Sequence, residues 1–264
     1  MTELTKVPRV LTIAGSDSGG GAGIQADLKT IAANGGYGTT VITAVTAQNT
    51  VRVSDVKEMP IELVESQIDA VMSDIGTDVV KTGMLSSAEM ILCVSRKIKE
   101  YDITKFVLDP VMVATSGDSL LKEDAADSIK KVLIPLCTIV TPNGPEAKKL
   151  TGIDVVDLDS ARDAAIELVN MGAAAAVVKG GHMDGPATDV LYDGDEFRMF
   201  TTKRIYNKNT HGTGCTFASA IACGLASNRS LRDSVSSAKA YVTGGIINGL
   251  NLGDGHGALN HFHK

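Results

Sequence analysis

The chain has 264 residues, of which 44% are hydrophobic and 21% are charged, and its formal net charge is −6 at pH 7. This composition predicts a folded protein with a sizeable core and excludes a disordered chain. The acidic balance and the lack of any basic run argue against a nucleic-acid or acidic-membrane partner, because such surfaces need concentrated Lys and Arg.

Cysteine spacing and the absence of long apolar runs bear on the cellular compartment. The four cysteines form no Cys-x-x-Cys pair, so we expect reduced thiols. The N-terminus lacks an apolar signal core and no apolar run approaches the roughly 18 residues that span a bilayer, so we expect a cytoplasmic protein. Three histidines crowd the last ten residues, where we expect a loosely held terminus rather than a metal site.

β-rich runs and helical patterns alternate along the first half of the chain. The run from Val10 to Ala14 predicts a strand, the loop from Gly15 to Gly23 is rich in glycine, and a helix pattern begins near Ile24. The same patterns predict strands at 41–47, 51–56 and 78–84 and helices at 60–73 and 86–100.

The second half repeats this alternation. Strands are predicted at 106–108, 138–141 and 174–178, a hairpin at 189–192 and 196–200, and helices at 122–133, 160–171 and 231–250. Strands that end in polar or glycine-rich loops, each followed by a helix, indicate an α/β fold whose mostly parallel sheet carries helices on both faces. We predict one domain over 1–264, with a site at the carboxyl ends of the strands.

The segment from Asn209 to Ile221 reads as a glycine turn that enters a buried helix. Gly212 and Gly214 leave the first backbone N–H groups of that helix free to bind an anion, most simply a phosphate. Cys215 lies on the first turn, where the helix field should stabilise a thiolate, and a protonated His211 would add to this effect. The alternative is a plain turn followed by an inert core cysteine.

Polar residues follow several other predicted strands. Asp109, Asn143 and Glu146 supply oxygen ligands of the kind that Mg²⁺ prefers, and Lys179 can reach a nucleotide phosphate. Each residue alone also has a structural explanation, such as a turn or a helix N-terminus. Their joint placement after successive strands favours phosphoryl transfer.

Other functions fit less of the sequence. The stretch from Gly21 to Ala26 matches a loose dinucleotide fingerprint, but 28–54 lack the acidic residue that would hold the ribose. No Gly-Lys pair exists for a Walker A loop. A thiol hydrolase built on Cys215 has no further support, and a non-catalytic binder leaves Asp109, Asn143 and Glu146 without a purpose.

Taken together, the blocks resemble those of the hydroxymethylpyrimidine and phosphomethylpyrimidine kinases of thiamine biosynthesis, in the ribokinase-like superfamily. The resemblance rests on 14–17, 20–29, 46–50, 81–85, 107–112, 141–147, 178–182 and the turn at 209–221. It implies a ribokinase-like three-layer sandwich, the cofactors ATP and Mg²⁺ with K⁺ left open, a pyrimidine substrate that is phosphorylated twice, and a homodimer. A pyridoxal kinase of the same fold, or a dual enzyme, is the alternative.

The resemblance also implies a role for each matching residue. Catalysis falls to the anion turn, namely Cys215, His211, Gly212 and Gly214. Asp27 and Gln48 would hydrogen-bond the substrate, in a pocket lined by Gly15, Ala22, Met84 and Val111. Lys179, Thr213 and Asp109 would face the nucleotide, and Asn143 with Glu146 the magnesium ion. Gly144 stands where a bulkier apolar residue is usual in the family.

Overall fold

A single sheet contains all nine strands of the residues that the computed structural model describes, which are 7–113, 117, 120, 122 and 125–263. The strands are β1 (Arg9–Asp17), β2 (Tyr37–Gln48), β3 (Val53–Glu58), β4 (Val79–Thr82), β5 (Phe106–Leu108), β6 (Ile139–Val140), β7 (Ala176–Val178), β8 (Ala187–Tyr192) and β9 (Phe197–Thr202). Their order across the sheet is β3-β2-β1-β4-β5-β6-β7-β8-β9. The six strands from β2 to β7 in that order are parallel, and β3, β8 and β9 pair antiparallel at the edges. The predicted mostly parallel sheet is confirmed.

Helices cover both faces of this sheet, as predicted. They are α1 (Gly23–Ala33), α2 (Ile61–Asp74), α3 (Ala88–Glu100), α4 (Ala125–Ser128), α5 (Gly144–Thr151), α6 (Leu158–Asn170), α7 (Thr213–Ala226) and α8 (Leu231–Ile247). Successive strand residues point to opposite faces. Val79 and Val107 therefore pack in a core with α1, α7 and α8, while Val80 and Leu108 pack in a second core with α2 to α6.

The chain reverses direction across the sheet at β1. After β1 it passes to β2 and β3 on one side, and it then returns to β4 on the other side of β1. In parallel α/β sheets such a reversal opens a crevice at the carboxyl ends of the two strands concerned. The loops that follow β1 and β4 therefore border the same crevice.

One helix was not predicted. The stretch from Pro142 to Glu146 looked like a loop, but α5 begins inside it. Asn143 caps this helix, because its Oδ1 accepts the Glu146 N–H at 2.9 Å while Glu146 Oε2 accepts the Asn143 N–H at 2.7 Å. Left-handed Gly152, with φ of 82°, ends it. Asn and Glu three residues apart form a capping box, whose sequence signature usually has Ser or Thr in the first position.

The predicted helix at 122–133 lies partly outside the described residues, since 123 and 124 are not among them. Its described part is α-helical in α4 and continues as a π-helix over Ile129–Leu133 and a 3-10 turn over Ile134–Leu136. Among the described helices, none is both long enough and apolar enough to cross a bilayer.

The C-terminal segment is packed against the protein, so the prediction of a loose terminus was wrong for the part that the structure describes, which ends at 263. Leu259 and His261 are buried. His261 Nε2 lies 3.0 Å from Thr216 Oγ1 on α7, and Tyr241 donates a hydrogen bond to the His261 carbonyl at 2.6 Å. Burial lowers the pKa of His261 to about 4. The neutral ring is therefore a fixed contact between the tail and the start of α7.

Candidate active site

The glycine turn before α7 lies against the glycine loop after β1. Gly212 has a left-handed φ of 83°, and a Cβ at this position would lie only 1.8 Å from the carbonyl oxygen of Gly21. Gly21 is equally constrained, because a Cβ there would lie 2.4 Å from the His211 ring. Only glycine at both positions allows the two loops to approach this closely.

The start of α7 has the geometry of an anion site. The Thr213 N–H bonds back to the Thr210 carbonyl at 3.3 Å, and Thr216 makes the first intrahelical bond, to Gly212, at 2.9 Å. The amides of Gly214 and Cys215 lie between them, at positions where a helix leaves its donors without intrahelical acceptors. These amides, together with the positive end of the helix dipole, favour a bound anion.

A buried carboxylate organises the loop after β1. Asp17 accepts hydrogen bonds from the N–H groups of Gly19 at 2.8 Å, Gly21 at 3.0 Å and Ala22 at 2.8 Å. Burial alone would raise the pKa of this carboxyl group, but the hydrogen bonds from His211 and from the loop amides outweigh it and hold the pKa below its usual value. Asp17 is therefore an anionic anchor for the loop. Its role was not predicted, although an Asp ahead of a glycine run is typical of such side-chain to backbone turns.

Two predicted site residues meet beside this anchor. His211 Nε2 lies 2.8 Å from Asp17 Oδ2 and 3.5 Å from Gln48 Nε2, at the end of β2. The imidazole thus connects the anion turn to the loops that follow β1 and β2. The suggested influence of His211 on the Cys215 thiol stays a prediction.

Three of the predicted pocket residues lie beside the crevice between β1 and β4. A Cβ at Gly15 would lie 3.1 Å from Met84 Sδ, and a Cβ at Gly212 would lie 3.3 Å from Ala22 Cα. Thr43 on β2 fixes the loop after β4 by donating a hydrogen bond to the Met84 carbonyl at 2.8 Å. Val111 is half-buried on the loop after β5. Gly15, Met84 and Ala22 therefore border the same region as the anion turn.

The protein raises the pKa of the Cys215 thiol to about 12. Burial is the main cause, the charges of Asp27 and Asp109 add to it, and Lys81 together with the Gly23 N–H acts in the opposite direction. The net effect on this thiol is therefore the opposite of the stabilised thiolate that the sequence predicts. Cys215 is a partly exposed residue, and desolvation of its thiolate is the largest cause of the raised pKa.

A cluster of charged side chains borders the other side of the anion turn. Lys179 Nζ lies 3.4 Å from Asp109 Oδ1 and 3.8 Å from Glu146 Oε2. A Cβ at Gly214 would lie 3.3 Å from that ammonium group and 3.7 Å from Asp109 Oδ2. The cluster is thus in contact with the turn, as the sequence predicted for Lys179 and Asp109.

The two carboxylates of this cluster differ in their environment. Burial and the nearby charge of Asp109 raise the pKa of Glu146 to about 7, against the opposing effect of Lys179. Burial would lower the pKa of Lys179, but attraction to Asp109 and Glu146 raises it overall, so the amine is charged. Asp109 Oδ2 is buried and has no hydrogen-bond partner in the described structure. One carboxylate oxygen is therefore available beside a fixed cation.

Similarity to known proteins identifies the family of this chain. Residues 17–260 match the family described as phosphomethylpyrimidine kinase. The chain belongs to this family. It is 48% identical to the hydroxymethylpyrimidine/phosphomethylpyrimidine kinase of Bacillus subtilis, over 96% of this chain and 94% of that protein.

One further relative and one solved structure are also similar to this chain. The chain is 53% identical to the thiamine biosynthesis bifunctional protein ThiED of Geobacter sulfurreducens over 96% of its own length, but it spans only about half, 52%, of that protein. The crystal structure of an ADP complex of Bacillus subtilis pyridoxal kinase superposes with a TM-score of 0.91 at 34% identity, covering 97% of this chain and 98% of the other. The predicted ribokinase-like fold is confirmed.

In this member of the phosphomethylpyrimidine kinase family, Asp27 lies deeper than the predicted contact with the substrate requires. Its side chain is completely buried, and both carboxylate oxygens are engaged by other side chains of the protein: Lys81 at 2.9 and 3.0 Å, Thr12 at 2.6 Å and Ser219 at 2.7 Å. A side chain in this position has no free acceptor for a substrate. The predicted direct contact is therefore corrected.

Asn143 has a structural role in addition to the predicted one as a magnesium ligand. Its side-chain oxygen caps α5, and one oxygen of Glu146 completes the reciprocal bond. The residue pair therefore stabilises the start of a helix, and the contact of Asn143 and Glu146 with magnesium stays a prediction.

Proposed function

We propose that the chain transfers the γ-phosphoryl group of ATP to the hydroxyl of 4-amino-5-hydroxymethyl-2-methylpyrimidine, and then a second phosphoryl group to the monophosphate so formed. One observation carries this proposal: the anion turn at Gly212–Cys215 contacts the glycine loop after β1 on one side and the Lys179 cluster on the other. A group held by the turn therefore lies between an acceptor pocket and a cationic site. This is the arrangement that positioning and electrostatic catalysis of phosphoryl transfer need.

The pocket side suits a neutral aminopyrimidine. Gln48 offers an amide donor and an amide acceptor side by side, which match an amino group next to a ring nitrogen. Gly15 lets the backbone pack closely on the apolar side chain of Met84, since a Cβ there would lie only 3.1 Å from the Met84 sulfur. In this assignment Ala22 and Val111 complete the apolar walls.

The nucleotide side suits ATP with a divalent cation. Lys179 and Thr213 would face the phosphates, since Lys179 is charged and lies against the anion turn. No trio of His, Cys, Asp or Glu in the described residues is arranged to hold a metal alone. The unpartnered Asp109 oxygen and Glu146 nevertheless fit a hydrated Mg²⁺, which keeps water and phosphate oxygens among its ligands. Bound there, Mg²⁺ would neutralise charge on the transferred group.

The two phosphorylation steps make different demands on Cys215. An alcohol must lose a proton as it attacks, whereas a phosphate monoester is already anionic near neutral pH. The resting thiol is protonated, because its pKa is raised to about 12, so any basic role depends on the cations that face it. We expect Cys215→Ala to lower kcat with the alcohol by about 10²–10⁴-fold, the usual range for general-base assistance, and to affect phosphorylation of the monophosphate far less. Equal losses in both assays would exclude a role as base.

The activity itself is tested by ATP consumption with hydroxymethylpyrimidine, its monophosphate, pyridoxal and pyridoxine in parallel. The proposal expects turnover of both pyrimidines. Pyridoxal kinase activity, alone or in addition, is the second candidate because of the close superposition on the pyridoxal kinase of Bacillus subtilis. Turnover of the pyridoxal group alone would replace the proposal with that candidate.

We also propose that the protein is a cytoplasmic homodimer. Val45 on β2, Val56 on the edge strand β3 and Val51 in the turn between these strands are all exposed. Edge strands with exposed apolar side chains are suited to pairing with a second copy. Light scattering coupled to size exclusion tests this, and a monomer mass at working concentrations would contradict it.

A further inference from the structure

Four buried polar side chains from four different elements form one network under the active site. Asp27 on α1 is at its centre, and Lys81 on β4, Thr12 on β1 and Ser219 on α7 all bond to its carboxylate. All four residues have no exposed surface. Lys81 contacts both carboxylate oxygens, and each hydroxyl donates to one of them.

Such a network is not explained by stability. A buried ion pair is often no better than apolar side chains of the same volume, because both charges lose their hydration. Here the pair bonds across α1 and α7, whose residues Ile31, Phe217 and Ile221 belong to one apolar core. A positional task accounts for the network, because its short hydrogen bonds join four elements at one carboxylate.

The location of the network indicates what it positions. Ser219 is four residues after Cys215, so the two share a face of α7 one turn apart. Asp27 is likewise four residues after Gly23, the first residue of α1. A Cβ at Gly83, on the loop after β4, would lie 3.0 Å from Lys81 Nζ. The network is thus one layer below the anion turn and below the loops after β1 and β4.

We infer that Asp27 and Lys81 are positioning residues that lock the first turn of α7, through Ser219, against the loops of the acceptor pocket. In addition, the Lys81 charge favours the Cys215 thiolate and the Asp27 charge disfavours it. Asp27 thereby acts on the reaction through α7 and the thiol, without touching the substrate. This inference rests on the kinase function proposed above.

The first test compares the variants Ser219→Ala, Asp27→Asn and Lys81→Met in steady-state kinetics. We expect each to lower kcat about tenfold, for both pyrimidine substrates, with the KM for the pyrimidine unchanged, since misplacement of catalytic groups by less than 1 Å has effects of this order. Ser227→Ala is the matched control, because this exposed serine lies just after α7 and its hydroxyl donates to the Cys223 carbonyl at 2.8 Å, away from the network. A raised pyrimidine KM confined to Asp27→Asn would instead show a direct substrate contact and would overturn the inference.

The second test depends on opposite changes in the two charge variants, which looser packing would not produce. The rate of Cys215 alkylation by iodoacetamide at pH 8.5, followed by peptide mass spectrometry, reports its thiolate fraction. We expect Asp27→Asn to accelerate alkylation severalfold, Lys81→Met to slow it severalfold, and Ser219→Ala to leave it within twofold. Lys179 and Asp109 also interact with the thiol and are unchanged in every variant. Acceleration in both charge variants would indicate general loosening and would contradict the inference.

Two further experiments apply if a variant does not fold or if the chain phosphorylates a different substrate. If Lys81→Met alone does not fold, the double variant Asp27→Asn with Lys81→Met removes both charges, and its alkylation rate should return close to that of the wild type. If the wild-type chain phosphorylates pyridoxal and no pyrimidine, the proposed function fails, but the same variants are then assayed with pyridoxal. The inference therefore stands or falls separately from the choice of substrate.

Discussion

Replacing Gly212 with alanine tests the central feature of the site, the close contact between the two glycine loops. The added Cβ would lie 1.8 Å from the Gly21 carbonyl oxygen, whereas real Cβ contacts essentially never fall below 3.0 Å. The loops must therefore separate by about 1.2 Å, the difference between these two distances. Both atoms of the contact belong to rigid parts, one being backbone and the other attached directly to it, so no side chain can rotate away.

The separation should reduce catalysis strongly. A misplacement of about 1 Å can cost roughly 10²-fold in rate, and we expect kcat/KM of Gly212→Ala to fall by about that factor. The left-handed φ of 83° also makes alanine unfavourable, by about 1–2 kcal/mol before any clash. For a chain of this size the second effect corresponds to a decrease in Tm of a few degrees.

Gly35→Ala separates the two effects. Gly35 has nearly the same φ, 81°, but a Cβ there meets nothing within 4 Å. We expect this control to show a similar decrease in Tm with kcat/KM within twofold of the wild type. The assay is ATP-coupled phosphorylation with differential scanning calorimetry of both variants. If Gly212→Ala retained more than half of the wild-type activity, the two loops would not need their close contact and the reasoning would fail.

Three further predictions follow from the described contacts. Gly144→Ala should raise Tm, because alanine reduces the conformational entropy of the unfolded chain and the new Cβ makes ordinary contacts at 3.7–3.8 Å. Gly152→Ala should lower Tm, because the φ of this residue is 82°. Calorimetry that ranks them in reverse would contradict this. The raised pKa of Glu146, about 7, means that the folded state holds this proton more tightly than the unfolded state does. Glu146→Gln should therefore gain stability relative to the wild type as pH rises from 5 to 8 in urea titrations without metal, and a constant difference would exclude it. Arg204 donates to four backbone carbonyls of the loop 180–185, so Arg204→Lys should raise the KM for ATP severalfold and leave the pyrimidine KM unchanged.

The alternation of the sequence was sufficient to predict the sheet, because buried parallel strands and their loops leave a strong pattern. The run of Val79 and Val80 illustrates this, since one side chain enters each core. The loops after the strands were predicted to converge, and the contact between Gly21 and Gly212 agrees with that prediction. The start of α5 was missed because Gly144 and Pro145 resemble a turn, although Pro in the first turn is also common in helices.

The roles of single charged residues were harder to predict, because they depend on how deeply each side chain is buried. Asp27 lies in a motif that the family resemblance links to the substrate, yet one turn of α1 separates it from the loop and places it beneath the pocket. The raised pKa of the Cys215 thiol could not be predicted either, since the sequence carries no measure of the desolvation that causes it. The hydrophobic periodicity shows which face of a helix or strand a residue occupies, but it does not show how deeply the residue is buried.

Lys81 nevertheless left a signal that the sequence analysis did not use. It is the third residue of a four-residue strand in which every side chain is buried, so a lysine there must have a buried anion as partner, since unpaired charges are rarely tolerated inside proteins. Asp27 is an acid on a helix that packs against the neighbouring strand β1. A charged residue inside a buried parallel strand therefore predicts a buried partner of opposite charge on a covering helix. In this protein that reasoning leads to the network under Cys215, which a search for exposed catalytic residues would not find.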